Sequence, residues 1–248
     1  MCYGIDAQPP SHAFNGEVAS EQDLVLKSSD GTEFSARLAR PAKPNGRGIV
    51  ILPDVRGLYS YYCVLARRFA EAGVEAIAID YFGRTAGLTD GRTEDFDFMA
   101  HLSQGKFDDV STDTSAGVAH LRGLGTVQEV FTVGFCFGGA MSWRQSADQQ
   151  GLAGAIGFYG VPGRVRDRIP GMKAPLLLLL AGDDRATSPE ASANFQQELT
   201  AAGVEHLAHT YDGAPHSFFD RGYDEWKDAC SDSWKRIFGF MGITAAAV

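Results

Sequence analysis

The chain of 248 residues is poor in the features that mark several common protein classes. Its 4 cysteines, Cys2, Cys63, Cys136 and Cys230, lie far apart. They offer neither the paired spacing of a zinc site nor the density of a disulfide framework. Long apolar runs are missing too. The longest, Leu176 to Ala181, is far too short to span a bilayer, so no membrane partner is expected. The N-terminus lacks the basic segment and apolar stretch of a secretory signal, which makes a cytoplasmic location the expectation. Basic residues are in deficit, with 22 Lys and Arg against 31 Asp and Glu, for a net charge of −9. Nucleic acid is therefore not an expected partner, because phosphate binding needs a basic face. No internal repeat, low-complexity segment or linker divides the chain.

What is present reads as one globular α/β domain. Hydrophobic residues make up 44% and charged residues 21%, close to globular averages. Residues 1–20 are polar, contain Pro9-Pro10, and are expected to form an extended N-terminal arm before a single domain over 21–248. Leu24 and Leu26 alternate with polar positions, Asp30-Gly31 marks a tight turn, and Phe34, Ala36 and Leu38 resume the alternation, which predicts an antiparallel hairpin. Beyond Gly46, apolar runs at 48–52, 75–79, 130–134, 155–158, 176–181 and 206–211 predict strands buried on both faces. Helical stretches separate them. One runs from Tyr61 to Ala72 and stops at Gly73; another starts at Ser188-Pro189 and ends near Gly203. The last helix places Trp226, Cys230, Ser233, Ile237 and Phe240 on one face. Alternating strands and helices predict a mostly parallel sheet covered on both sides.

The most informative segment is Gly134-Phe135-Cys136-Phe137-Gly138-Gly139, set between an apolar strand and a helix expected over 140–150. It has the form G-x-nucleophile-x-G, with cysteine as the nucleophile. A turn that sharp brings the residues two before and two after the nucleophile almost into contact, and only glycine fits there. It also sets the thiol at a helix N-terminus, where partial positive charge favours the thiolate. The N–H of Phe137 then faces an oxyanion hole. The bland reading is a packed cysteine in a glycine-rich turn, since free cysteines are often buried.

The order of the remaining groups favours chemistry. Residues 176–181 lead into Gly182-Asp183-Asp184, and residues 206–211 lead into Asp212-Gly213-Ala214-Pro215-His216. Both loops follow the carboxyl ends of strands, where open parallel sheets build their sites. Nucleophile, acid and histidine in this order form an activated thiol. Asp184 is favoured over Asp183 as the acid; either aspartate can also simply cap a turn. Among the other histidines, His12 lies in the arm, His101 and His120 in helical stretches, and His206 and His209 within a strand.

These residues resemble the dienelactone hydrolase family (carboxymethylenebutenolidase-like proteins). The likeness rests on Leu52-Pro53-Asp54-Val55-Arg56-Gly57, Asp80-Tyr81-Phe82-Gly83-Arg84, Gly134 to Gly139, Gly182-Asp183-Asp184 and Ala214-Pro215-His216-Ser217-Phe218. The resemblance implies an α/β-hydrolase fold and a Cys136, His216, Asp184 triad. It implies that Val55 supplies the second oxyanion N–H, and that Asp54 contacts the thiol and helps control its ionisation. It implies further that Arg84 holds a substrate carboxylate. The family's second arginine position is occupied by Asp220, with Arg221 next. Arg56 is a further candidate, because a planar guanidinium pairs with a carboxylate in two places. The expected activity is hydrolysis of a small enol lactone or activated ester, with no metal or organic cofactor. Two alternatives stand beside it: a general cysteine esterase or thioesterase, and a thiol-sensing protein on a hydrolase scaffold. Residues 83–103 are a candidate lid.

Overall fold

The computed structural model describes residues 7–221 and 224–244. Eight strands form one sheet: β1 (Val18–Lys27), β2 (Glu33–Pro41), β3 (Arg47–Leu52), β4 (Glu75–Ile79), β5 (Glu129–Phe135), β6 (Gly154–Phe158), β7 (Leu176–Asp183) and β8 (His206–Pro215). Their spatial order is β1-β2-β4-β3-β5-β6-β7-β8. β1 pairs antiparallel with β2, and β2 with β4; every other pairing is parallel. The hairpin turns where Asp30 accepts the N–H of Thr32 and Gly31 takes φ +90°. β1 begins at Val18, so the extended arm gives way to strand slightly earlier than the polar composition suggests.

The helices are α1 (Ser60–Glu71), α2 (Gly83–Ala86), α3 (Phe98–Leu102), α4 (Phe107–Gly123), α5 (Phe137–Asp148), α6 (Pro189–Ala201), α7 (Phe218–Arg221) and α8 (Lys227–Phe240). Their ends follow local chemistry. Ser188 caps α6 by accepting the N–H of Ala191 at 3.2 Å, and Gly73 follows α1 at φ +81°. None of the described helices is long and apolar enough to cross a membrane.

The apolar runs are explained by burial on both sheet faces. In β3, Ile49 and Ile51 point into one core with α1 and α8, whereas Val50 and Leu52 point into a second with α4, α5 and α6. β7 repeats the division, with Leu177 and Leu179 on the first side and Leu176, Leu178 and Leu180 on the second. The buried face of α8 differs from the expected one. Trp234 and Phe238 are buried with Cys230, Ser233 and Ile237, while Phe240 is only partly covered and Trp226 precedes the helix.

Candidate active site

The elbow follows from steric necessity. Cys136 takes φ 54° and ψ −111° between β5 and α5. A Cβ on Gly134 would lie 1.9 Å from the carbonyl oxygen of Gly138. One on Gly138 would lie 2.1 Å from that of Leu52, and one on Gly139 2.3 Å from that of Phe158. Backbone strain concentrates here. The described non-glycine residues with positive φ are Cys136, Tyr159 and Ser217, at the carboxyl ends of β5, β6 and β8. Strain of this kind costs on the order of 1–3 kcal/mol per residue and gathers where geometry serves function.

His216 and Asp184 meet at the same sheet edge. His216 Nδ1 lies 2.9 Å from both carboxylate oxygens of Asp184. The carboxylate holds the proton on Nδ1 and leaves Nε2 as the basic nitrogen. Asp184 is itself fixed by the N–H of Ala186 at 2.7 Å, and only 2% of its side chain is exposed, against 23% for His216. Asp183, by contrast, is exposed. The Tyr159 ring packs 4.9 Å from the imidazole and supports its other side. Cys136 is half-buried at the first turn of α5. The other described thiols are poorly placed to react: burial pushes Cys63 up to about 11 and Cys230 up to about 12. Cys2 lies outside the described residues.

The loop after β3 approaches from the other side. Gly57 donates its N–H to the carbonyl of Asp54 at 3.1 Å, making a tight turn with Val55 as its second residue. Such a turn leaves the N–H of its second residue unused. Phe137 opens α5, so its N–H has no partner within the helix either. Three buried side chains whose contacts sequence reasoning did not single out brace this loop. Tyr62 accepts the N–H of Asp54 at 3.0 Å, and the Tyr81 hydroxyl donates to the carbonyls of Asp54 and Pro53. Asp80, fully buried, accepts from Leu58 and is paired with Arg92 at 2.7 Å. The sequence signal was the block Asp80-Tyr81-Phe82, which stood out as a motif without revealing its partners.

The charged candidates sit differently from a ring of free cations. Asp54 is fully buried and held by Arg56, with Nη2 at 2.9 Å from Oδ2 and Nε at 3.2 Å from both oxygens. Arg84 turns its guanidinium to Asp113 at 2.8 and 3.1 Å and to Asp30. Arg221 closes α7, and its side chain lies outside the described part. Asp220 is 3% exposed and buried beside Asp54, Arg56 and Tyr159. Burial drives its pKa far above the usual carboxylate value, and the neighbouring charge of Asp54 pushes the same way against Arg56. Among the described residues, no cluster of His, Cys, Asp and Glu has the makings of a metal site.

The arrangement can be compared with known proteins. The sequence profile of the dienelactone hydrolase family matches residues 34–244. Proteins named "Putative carboxymethylenebutenolidase" are 27% identical over 228 residues in Escherichia coli K12, covering 84% of this chain and 82% of theirs. In Saccharolobus solfataricus the identity is 26% over 256 residues, covering 88% and 96%. Among solved structures, the dienelactone hydrolase-like promiscuous phosphotriesterase P91 from metagenomic libraries gives a TM-score of 0.73 at 20% identity, over 91% of this chain and 99% of its own. The Pyrococcus furiosus esterase Pf2001 gives 0.68 at 14%, over 96% and 98%. The structural likenesses speak for the fold, and the family profile spans the chain from β2 past α8. This chain is an α/β-hydrolase and belongs to the dienelactone hydrolase family.

Proposed function

We propose that the protein hydrolyses enol lactones or activated carboxylic esters through a covalent acyl-thioester on Cys136. The observation that carries this reading is the His216–Asp184 pair, 2.9 Å apart, on the sheet edge where the elbow presents the thiol. His216 Nε2 takes the thiol proton, and the first turn of α5 favours the thiolate. The thiolate attacks the carbonyl carbon, and the N–H groups of Val55 and Phe137 hold the oxyanion. The leaving oxygen departs with the proton held by His216, and the neutral imidazole then draws a proton from water, which cleaves the thioester, returning the thiol and releasing the acid. Loss of one oxyanion donor commonly costs about 10²–10³ in rate. A stabilised leaving group suits a thiolate, which favours enol and aryl esters over amides.

Arg56 and Arg84 are already committed to buried aspartates, which supports the broader reading of a cysteine esterase that does not depend on them for a substrate carboxylate. Mass spectrometry of protein quenched with a slow aryl ester tests the nucleophile. An acyl adduct is expected on Cys136, with turnover lost in Cys136→Ala. An adduct on a serine, or undiminished turnover in that variant, would sink the mechanism.

A further inference from the structure

The sheet has two edges, β1 and β8, and they differ in kind. β1 carries Glu21, Asp23 and Lys27, and its register against β2 shifts between Val18 and Ser20. Charges and irregular register are the usual means of keeping a sheet edge from pairing with another strand. β8 has neither between His206 and Tyr211. That stretch contains no Asp, Glu, Lys, Arg or Pro, and it pairs with β7 in unbroken register from Leu176 and His206 to Ala181 and Tyr211. Among the described residues, β7 is the only strand beside it.

The main chain of β8 has bonding groups to spare. Leu176 donates its N–H to the carbonyl of Glu205 at 3.0 Å, which fixes the alternation of the parallel ladder. Leu207 and His209 therefore turn their main-chain groups toward β7, and His206, Ala208 and Thr210 turn theirs outward.

The side chains add a knob and a socket. Leu207 is 59% exposed and shares its sheet face with Leu177, on the side covered by α8. Two residues on, the same face carries His209 and then Tyr211, which form one wall of a groove of about 460 Å³. Its other wall is α8, through Ala229, Asp232 and Arg236. Asp232 is paired with Arg236 at 2.6 Å and accepts the Tyr211 hydroxyl at 3.0 Å, so these two charges offset each other. Asp212, Glu225 and Asp228 line the remainder, with Trp226 at the start of α8.

An antiparallel pairing of two identical strands about a two-fold axis at Ala208 joins these features. It sets His206 opposite Thr210, so the outward main-chain groups meet, and Leu207 opposite His209, so each exposed leucine enters the other groove. Ala208 then faces its own copy on the opposite sheet face, where it is exposed. Knob and socket lie on one strand, two residues apart, which makes the edge complementary to itself.

We propose that β8 is a dimer interface, in which two copies of this chain pair antiparallel through residues 206–210 and form one continuous sheet. The dimer stands independently of the ester-hydrolase reading.

Sedimentation equilibrium of the full chain tests it. At tens of micromolar, the wild type is expected at twice the chain mass of 26.7 kDa. Leu207→Lys changes an exposed side chain and is expected to weaken the dimer about tenfold or more, because an ammonium would have to leave water at the contact. A wild type that stays monomeric overturns the proposal, as does a dimer that Leu207→Lys leaves unchanged. Cross-linking reads the register. Opposed residues in a hydrogen-bonded antiparallel pair stand about 5.5 Å apart at Cα, a span that a disulfide bridges. Mild oxidation of Ala208→Cys is expected to give a covalent dimer well beyond any formed by the wild type. Val25→Cys, exposed on the opposite edge, is expected to give no such excess. An Ala208→Cys protein that links no better than the wild type, or a dimer linked through Val25→Cys instead, overturns the pairing.

Discussion

At the scale of single residues, Asp220 is the least expected feature of the site. A carboxyl buried beside another carboxylate is costly to ionise, because both desolvation and the like charge oppose its negative form. Burial and Asp54 together raise its folded pKa far above the ordinary value of 3.8, so the folded chain keeps the proton that the unfolded chain gives up. The unfolded state therefore binds fewer protons above that ordinary value, and stability must fall as pH rises from it. Asp220→Asn keeps the shape and removes the titration. Its melting temperature is expected to exceed that of the wild type by a few degrees at pH 8 and by clearly less at pH 5. Equal shifts at both pH values, or a loss at pH 8, would show that Asp220 is ionised and compensated. The sequence could place Asp220 four residues past His216 but could not show that it is buried within reach of the Asp54 charge, because the two are remote in sequence.

Single elements were legible wherever their signals are local. The elbow, the Asp30-Gly31 hairpin turn and the Ser188-Pro189 start of α6 each depend on residues adjacent in sequence. The face of α8 was not legible. Helical spacing fits a stripe through Phe240 nearly as well as one through Trp234 and Phe238, and what decides between them is the N-terminal arm, more than 200 residues away. There Trp234 donates its indole N–H to Pro10, and Phe14 packs 4.9 Å from Phe238. His12 anchors the arm inside this cluster, 4.9 Å from Trp234 and 5.1 Å from Phe238.

The anchoring histidine makes the arm sensitive to acid. His12 Nδ1 accepts the N–H of Phe14, so the proton sits on Nε2, which donates to the carbonyl of Arg68 at 2.7 Å. Burial depresses its pKa below the ordinary 6.5, outweighing the hydrogen bond to the Arg68 carbonyl and the charge of Glu71, which act the other way. The unfolded chain gains a proton first on acidification. The stability of the neutral, docked form is thus complete above pH 6.5 and declines as pH falls below it. Between pH 7.5 and 5.5 the melting temperature of the wild type should fall further than that of His12→Phe, which keeps the ring packing and loses the titration. A His12→Phe protein with the same acid dependence as the wild type would refute the anchor.

Across the whole molecule, Arg84 shows how far a sequence match can carry. Arg84 sits in a motif that matches a substrate-binding position, yet its place in the structure is set by residues remote in sequence. Asp113 comes from the middle of α4, and Asp30 and Thr32 come from the turn between β1 and β2. Ser28 closes the group by donating to Asp113. One guanidinium thus ties the hairpin at the sheet edge to α2 and to the helix that backs β3 and β4. Asp113 is fully buried, whereas 13% of the Arg84 side chain is exposed. Removing the arginine would strand a buried carboxylate, a change that typically costs about 3–5 kcal/mol. Replacing both partners with apolar residues of similar size costs much less, because no charge is left without a counter-ion. Urea denaturation should therefore show Arg84→Met strongly destabilised and the double variant Arg84→Met, Asp113→Leu restored by a large part of that loss. Additive losses in the double variant would mean that the two side chains stabilise the fold independently, and the link between hairpin, α2 and α4 would have to be sought elsewhere.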